Sequence, residues 1–174
     1  AAVGNDENGS IKPPANAPEV IAIGGADDEN NFEGPVKKLY HSSFGSTVDG
    51  LMKPDLIAHA IWIAAPILPG TFEQNEATTL YELMNTTDDM LKQKLQEKYA
   101  HTRLDPLLLE SNDVTYMREA IVKRIQTCKY ISGHYMHVDG TSFAAPIVSA
   151  VIAQLLEANP QLTAPMIKEV LFSM

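Results

Sequence analysis

Ile147, Val148, Val151, Ile152, Leu155 and Leu156 fall in pairs four residues apart, and this spacing constrains the fold more than any other feature of the chain. It brings the apolar side chains to one side of a 3.6-residue helix, a broad stripe that reads as buried. Asn159 and Pro160 end that helix. Thr163 then caps a last one, whose first turn holds Pro165, where a missing N–H costs nothing because first-turn N–H groups have no intrahelical acceptor. The start is set by another proline. Pro146 has no N–H to give to the carbonyl of Ser142, so regular helix does not extend back through that serine in the usual way. Ser142 is therefore expected at the helix mouth. There the unpaired N–H groups and the positive end of the helix dipole both stabilise negative charge, the charge that an oxygen nucleophile generates on attacking a carbonyl. Gly140 allows a tight approach turn, and Ala144 and Ala145 let a neighbouring or substrate backbone come close. Taken alone, Thr141-Ser142 before a helix is an ordinary N-cap.

Upstream, "EVIAIGGADDEN" (Glu19 to Asn30) is a β-branched run closed by glycines and acidic residues, which predicts a buried strand and a turn. Leu56 to Ile63 is a second strand candidate, and "HSSFGSTVDGLMKPD" between them has the composition of surface loop. From Glu76 onward Leu80, Met84, Leu91 and Leu95 recur at helical spacing, and Val114, Met117, Ile121 and Ile125 do so again. Two amphipathic helices are expected, separated at Pro106 and Ser111-Asn112-Asp113, with Asn112 or Asp113 as the N-cap of the second.

At 174 residues and 45% hydrophobic, the chain is long enough for one globular domain with its own core. Thirteen Lys and Arg against twenty-two Asp and Glu, a formal charge of −9 and no basic stripe argue against a nucleic-acid surface. The longest apolar run, Leu56 to Leu68, is interrupted by His59 and Pro66 and is too short for a membrane span. Cys128 is alone, so no internal disulfide forms. No signal-peptide pattern is present, and the apolar opening "AAVGN" suggests that Ala1 is not the true beginning.

The whole string Gly140-Thr141-Ser142-Phe143-Ala144-Ala145-Pro146 resembles the nucleophile signature of the subtilisin-like serine peptidases, the subtilases: Gly-Thr-Ser, one variable residue, Ala, a small residue and Pro. "AAVGN" (Ala1 to Asn5) is similar to the strand end that carries the family's oxyanion asparagine, and "PEVIAIGGAD" to the strand and turn after it. "SSFGST", Lys53-Pro54-Asp55, "LPG" (Leu68 to Gly70) and "NPQLT" (Asn159 to Thr163) have counterparts too. The resemblance covers residues 1 to about 70 and 131 to 174. It implies an α/β fold, a three-layer sandwich with a mainly parallel sheet, truncated at its N-terminal side. The chain would then be the C-terminal part of one catalytic domain, with a helical insertion at about 71–130 in place of a short connection. Where the family reads Ala-Pro-Gly, this chain has Ala58-His59-Ala60, so the turn there is expected to be reshaped.

By resemblance Ser142 is the nucleophile of a serine endopeptidase working through an acyl-enzyme, and Asn5 is the oxyanion donor. Ala2, Val3 and Gly4 would wall the primary specificity pocket, leaving room for a large apolar side chain, and Gly140 and Thr141 would also contact substrate. The family's Asp and His precede the asparagine in chain order, so the 174 residues alone are expected to be inactive. His134, His137 and Asp139 lead directly into Ser142, a placement that rarely folds a side chain back onto the serine; His41, His59 and His101 have no stronger claim. An alternative is a non-catalytic pseudo-peptidase that binds peptides or a partner. The insertion is expected to cover scaffold surface, the other reading being a lid or docking arm. No cofactor is required. Calcium often stabilises the family, and Asp27, Asp28 and Glu29 could supply oxygens, although an acidic turn is usually only solvated. The expected partner is a peptide or protein substrate, with self-association through an exposed sheet edge. The family favours an extracellular or cell-envelope location.

Overall fold

The computed structural model describes residues 1–7, 9–27, 29 and 38–173. It divides into two compact units, Ala1–Ile63 with Asp139–Met174, and Ala64–Val138.

The first unit is built on a small sheet. Its strands are β1 (Ile23–Asp27), β2 (Lys38–Leu39), β3 (Gly45–Ser46), β4 (Met52–Lys53) and β5 (Leu56–His59). β1 lies centrally, every residue buried. It pairs in parallel with β5, Ile23 opposite Leu56 and Ala26 opposite His59, and antiparallel with β2. A parallel bridge from Ala2 to Ile23 extends the pairing on the N-terminal segment. Helices and strands both contribute, as an α/β chain requires, but among the described residues the sheet is three strands wide, with one parallel and one antiparallel pairing.

The Lys53-Pro54-Asp55 element explains how β5 is set against β1. Lys53 is buried, and its ammonium donates to Val20 O at 2.9 Å and to Asp55 Oδ2 at 2.6 Å. The same carboxylate oxygen accepts Ala22 N at 2.7 Å. A buried ammonium is tolerable only when so paired.

Two strand expectations change. The run from Leu56 to Ile63 is broken: β5 ends at His59, and β6 (Ile63–Pro66) starts after Trp62, whose φ is 58°. A left-handed residue redirects an extended chain, and nothing in an apolar run announces one. The "HSSFGSTVDGLMKPD" segment holds the β3–β4 ribbon, and Ser42 and Ser43 in it are buried rather than at the surface. Their hydroxyls are satisfied there. Ser42 Oγ accepts Gly25 N at 3.1 Å, and Ser43 Oγ donates to Asp6 O at 2.8 Å.

The second unit contains α1 (Phe72–Met84), α2 (Asp88–Lys98), α3 (Val114–Thr127) and β7 (Tyr135–Val138), which pairs with β6. The first expected helix is thus two. Asn85 and Thr86 bond back to the carbonyls of Tyr81 and Glu82 and end α1; Thr87 caps α2 ahead of Asp88 and Asp89. Asp113 caps α3 by accepting Tyr116 N at 3.1 Å. Leu80, Leu83, Leu91, Leu95, Leu108, Met117 and Ile121 form the core of this unit. Within it Glu76 is fully buried, yet both its oxygens are used. Oε1 accepts Arg103 N and Arg124 Nε, each at 2.9 Å, and Oε2 accepts Arg124 Nη2 at 3.1 Å and the Tyr130 hydroxyl at 3.0 Å.

The chain returns to the first unit as α4 (Thr141–Ala158) and α5 (Ala164–Ser173). α4 packs on β1 and β5 through Ala144 and Val148, joined by Ile167 and Leu171 of α5. The apolar stripe expected to be buried is only partly so. Ile147 and Leu156 stay 39% and 37% exposed, because a narrow sheet covers one flank of so wide a stripe.

Candidate active site

Gly140 fixes the entry to α4. Its φ of 129° and ψ of 159° lie where a side chain is strained, and its N–H donates to Ala60 O at 2.7 Å, tying the helix start to the end of β5. α4 then begins at Thr141, so Ser142 is the second residue of its first turn and Pro146 lies inside the helix. The mouth expected for Ser142 is therefore the first helical turn, whose N–H groups are the ones without intrahelical acceptors. Ser142 is exposed.

Asn5 meets this turn from the other end of the chain. Its Oδ1 accepts Thr141 N and Thr141 Oγ1, each at 2.9 Å across 136 residues. Thr141 is fully buried, so its hydroxyl positions Asn5 and does not face solvent. With Oδ1 pinned, the amide group of Asn5 lies over Gly140; a Cβ on Gly140 would meet Nδ2 at 3.1 Å. Gly4, at φ 106°, brings Asn5 into place after the Ala2 bridge, and Ser43 N donates to its carbonyl at 3.0 Å.

Two hollows flank Asn5. One, of about 250 Å³, is lined by Ala2, Val3, Gly4 and Ser43 together with Asp6 and Lys12. The other, of about 230 Å³, is lined by Tyr40, His41, Asp139 and Gly140. The opening string of the sequence points to the first wall, but nothing in the sequence points to the second. Residues 40 and 41 stand about a hundred positions from Gly140, and neither periodicity nor motif pairs them with it. Asp139 is held in place by accepting Trp62 N at 3.0 Å.

Among the described residues no histidine side chain is bonded to Ser142. His41 Nδ1 lies 3.7 Å from Glu7 Oε1, and His134 Nδ1 lies 3.3 Å from Gln74 Nε2. The acidic turn is partly committed elsewhere. Asp27 accepts Glu29 N at 2.8 Å and pairs with Lys38 at 3.2 Å; the Glu29 N–H bond, ahead of a smaller opposing effect of burial, holds its carboxyl below the ordinary range. Asp28 lies outside the described residues, and no group of three metal-binding side chains forms among those described.

A family model described as "Subtilase family" matches residues 1–173. Neither the curated proteins nor the solved structures include a match to the chain.

Proposed function

Because the chain belongs to the subtilase family, we propose that Ser142 is the nucleophile of a serine endopeptidase. It attacks a peptide carbonyl to form an acyl-enzyme, while Asn5 Nδ2 and the Ser142 N–H hold the oxyanion. The observation that carries this reading is the clamp of Thr141 on Asn5. Two donors use up the amide oxygen, which leaves the NH₂ group as the part of Asn5 available beside an exposed serine. A donor fixed before the reaction needs no reorganisation as negative charge develops, and that is where such a hole gains its effect. The first turn of α4 adds its dipole in the same sense. The hollow walled by Ala2, Val3 and Gly4 takes the side chain next to the scissile bond.

Ser142 needs a general base. In this reading a histidine and an aspartate come from polypeptide preceding Asn5 in chain order, as the family arranges them. The 174 residues are then the C-terminal part of a catalytic domain, whose three-layer, mainly parallel architecture is completed by those upstream strands.

Fluorophosphonate labelling tests the reading. The 174-residue chain should label slowly, the protein extended upstream rapidly, and Ser142→Ala should abolish labelling in both. Rapid labelling of the chain alone would refute the need for an upstream base. No labelling of the extended protein would favour a pseudo-peptidase that binds peptide without cutting it.

A further inference from the structure

We infer that Ser43 is a positioning residue for the peptidase reaction: it holds the backbone on both sides of Asn5 and so fixes where the Asn5 amide group stands beside Ser142. The inference rests on the endopeptidase reading and deepens it by naming a further residue on which the reaction depends. Ser43 is buried. Its N–H donates to Gly4 O at 3.0 Å, and its hydroxyl donates to Asp6 O at 2.8 Å and accepts Asp6 N at 3.3 Å. Ser43 thus bonds the residues immediately before and after Asn5. The hold is anchored on the sheet. Ser42 Oγ accepts Gly25 N at 3.1 Å and Tyr40 N donates to Gly25 O at 3.1 Å, which stitches the segment carrying Ser43 to β1.

Asn5 needs such a hold. Thr141 bonds only one atom of its amide group, Oδ1, and a group pinned at one atom can still turn about it. The direction of Nδ2 then depends on where the Asn5 backbone lies. The preceding residue does not fix that by itself. Gly4 has a φ of 106°, a region open to glycine, and glycine leaves its backbone freer than other residues do. Gly4 also leaves the space that Ser43 uses, since a Cβ there would lie 3.0 Å from Ser43 Oγ. Misplacing a catalytic group by about 1 Å can cost roughly a hundredfold in rate, so a clamp on Gly4 and Asp6 acts on the chemistry through Asn5. Ser43 also lines the hollow beside Ala2, Val3 and Gly4. Direct contact with the substrate side chain is therefore the competing role, and it would move KM rather than kcat.

Two variants separate positioning from stability alone. Ser43→Ala removes the hydroxyl bonds to Asp6 and keeps the N–H bond to Gly4. Thr47→Val removes another buried hydroxyl of the same segment, one that accepts Leu51 N at 3.1 Å within the β3–β4 turn. On the 174-residue chain, nuclear magnetic relaxation of the Asn5 side-chain NH₂ should report a rigid group in the native sequence and in Thr47→Val, and a mobile one in Ser43→Ala. An equally rigid group in Ser43→Ala would overturn the proposal. Backbone amide dispersion verifies the fold, and Ser43→Cys, close in size with only a weak donor and acceptor, replaces Ser43→Ala if that variant unfolds. On the upstream-extended protein, Ser43→Ala should lower kcat on a peptide substrate about tenfold with KM unchanged, because the oxyanion exists only in the transition state. Thr47→Val should leave both constants unchanged. A raised KM with kcat unchanged would overturn the positioning role in favour of direct substrate contact. Equal loss of kcat in both variants would also overturn it, reducing Ser43 to a stabilising residue. Loosening of Asn5 in a protein that neither labels with fluorophosphonate nor turns over keeps the positioning and removes the peptidase, and turnover that Ser43→Ala leaves untouched does the reverse.

Discussion

A methyl group at Gly140 would be strained twice, by a φ of 129° and by its approach to Asn5 Nδ2 at 3.1 Å. Gly140→Ala is therefore expected to cost about 2 kcal/mol, read as a fall in the urea midpoint with unchanged slope, and to displace Asn5. Asn5→Ala strips the buried Thr141 of the acceptor for its N–H and its hydroxyl and should cost about 1–3 kcal/mol, and it should also lower turnover of the upstream-extended protein. The expected loss, about a hundred- to a thousandfold, is the one measured for the corresponding asparagine of subtilisin itself. Steady-state kinetics on a peptide substrate checks it: a drop in kcat with KM unchanged is expected, because the oxyanion exists only in the transition state.

Among the elements, α1 and α3 depend on one buried carboxylate. Burial by itself would push the Glu76 carboxyl up, but the Arg124 guanidinium, the Arg103 N–H and the Tyr130 hydroxyl outweigh it and hold the carboxyl below its ordinary value. Burial and the Glu76 carboxylate together push the Tyr130 phenol well above its usual range. For an acid whose folded pKa is lowered, the stabilisation is complete above the unfolded pKa of about 4.3 and is lost as pH falls through the folded value. Helical circular dichroism should thus decline below about pH 4, and Glu76→Gln should flatten that part of the profile. Glu76→Ala leaves Arg124 and Tyr130 without their partner in the interior and should cost about 3 kcal/mol or more. Chemical denaturation followed by the same helical signal measures it.

At the scale of the whole molecule, β5 ends the order β2-β1-β5 among the described residues, and its outer edge adjoins an apolar groove of about 250 Å³ lined by Ile57, Ala58, Ile147 and Val151. With Ile57 43% exposed, a second copy of the chain can pair at this edge. Light scattering should show mass rising with concentration, and Ile57→Lys should suppress the rise. A stable monomer at high concentration would count against the edge as an interface. The two units were less legible than the elements within them. Helical spacing in the 71–130 region and the Asp113 cap could be read directly, because periodicity and capping are local. The break at Asn85 to Thr87 was legible only in hindsight, as "NTTDD" is a stop and a start written over a continuous apolar repeat. The turn at Trp62 left no trace, since a left-handed conformation imposed by tertiary bonds needs no glycine. By itself the sequence determined the family, carried by the Gly140-to-Pro146 string, and the helix behind that string, because such signals depend on neighbours in the chain. Only the tertiary structure decided that Thr141 spends both its donors on Asn5, that Ser42 and Lys53 are interior groups, and that Tyr40, His41 and Asp139 share one hollow. Those are contacts between residues far apart in the chain, fixed by the pairing of β1 with β5 and the packing of α4 upon them, and no local pattern encodes them.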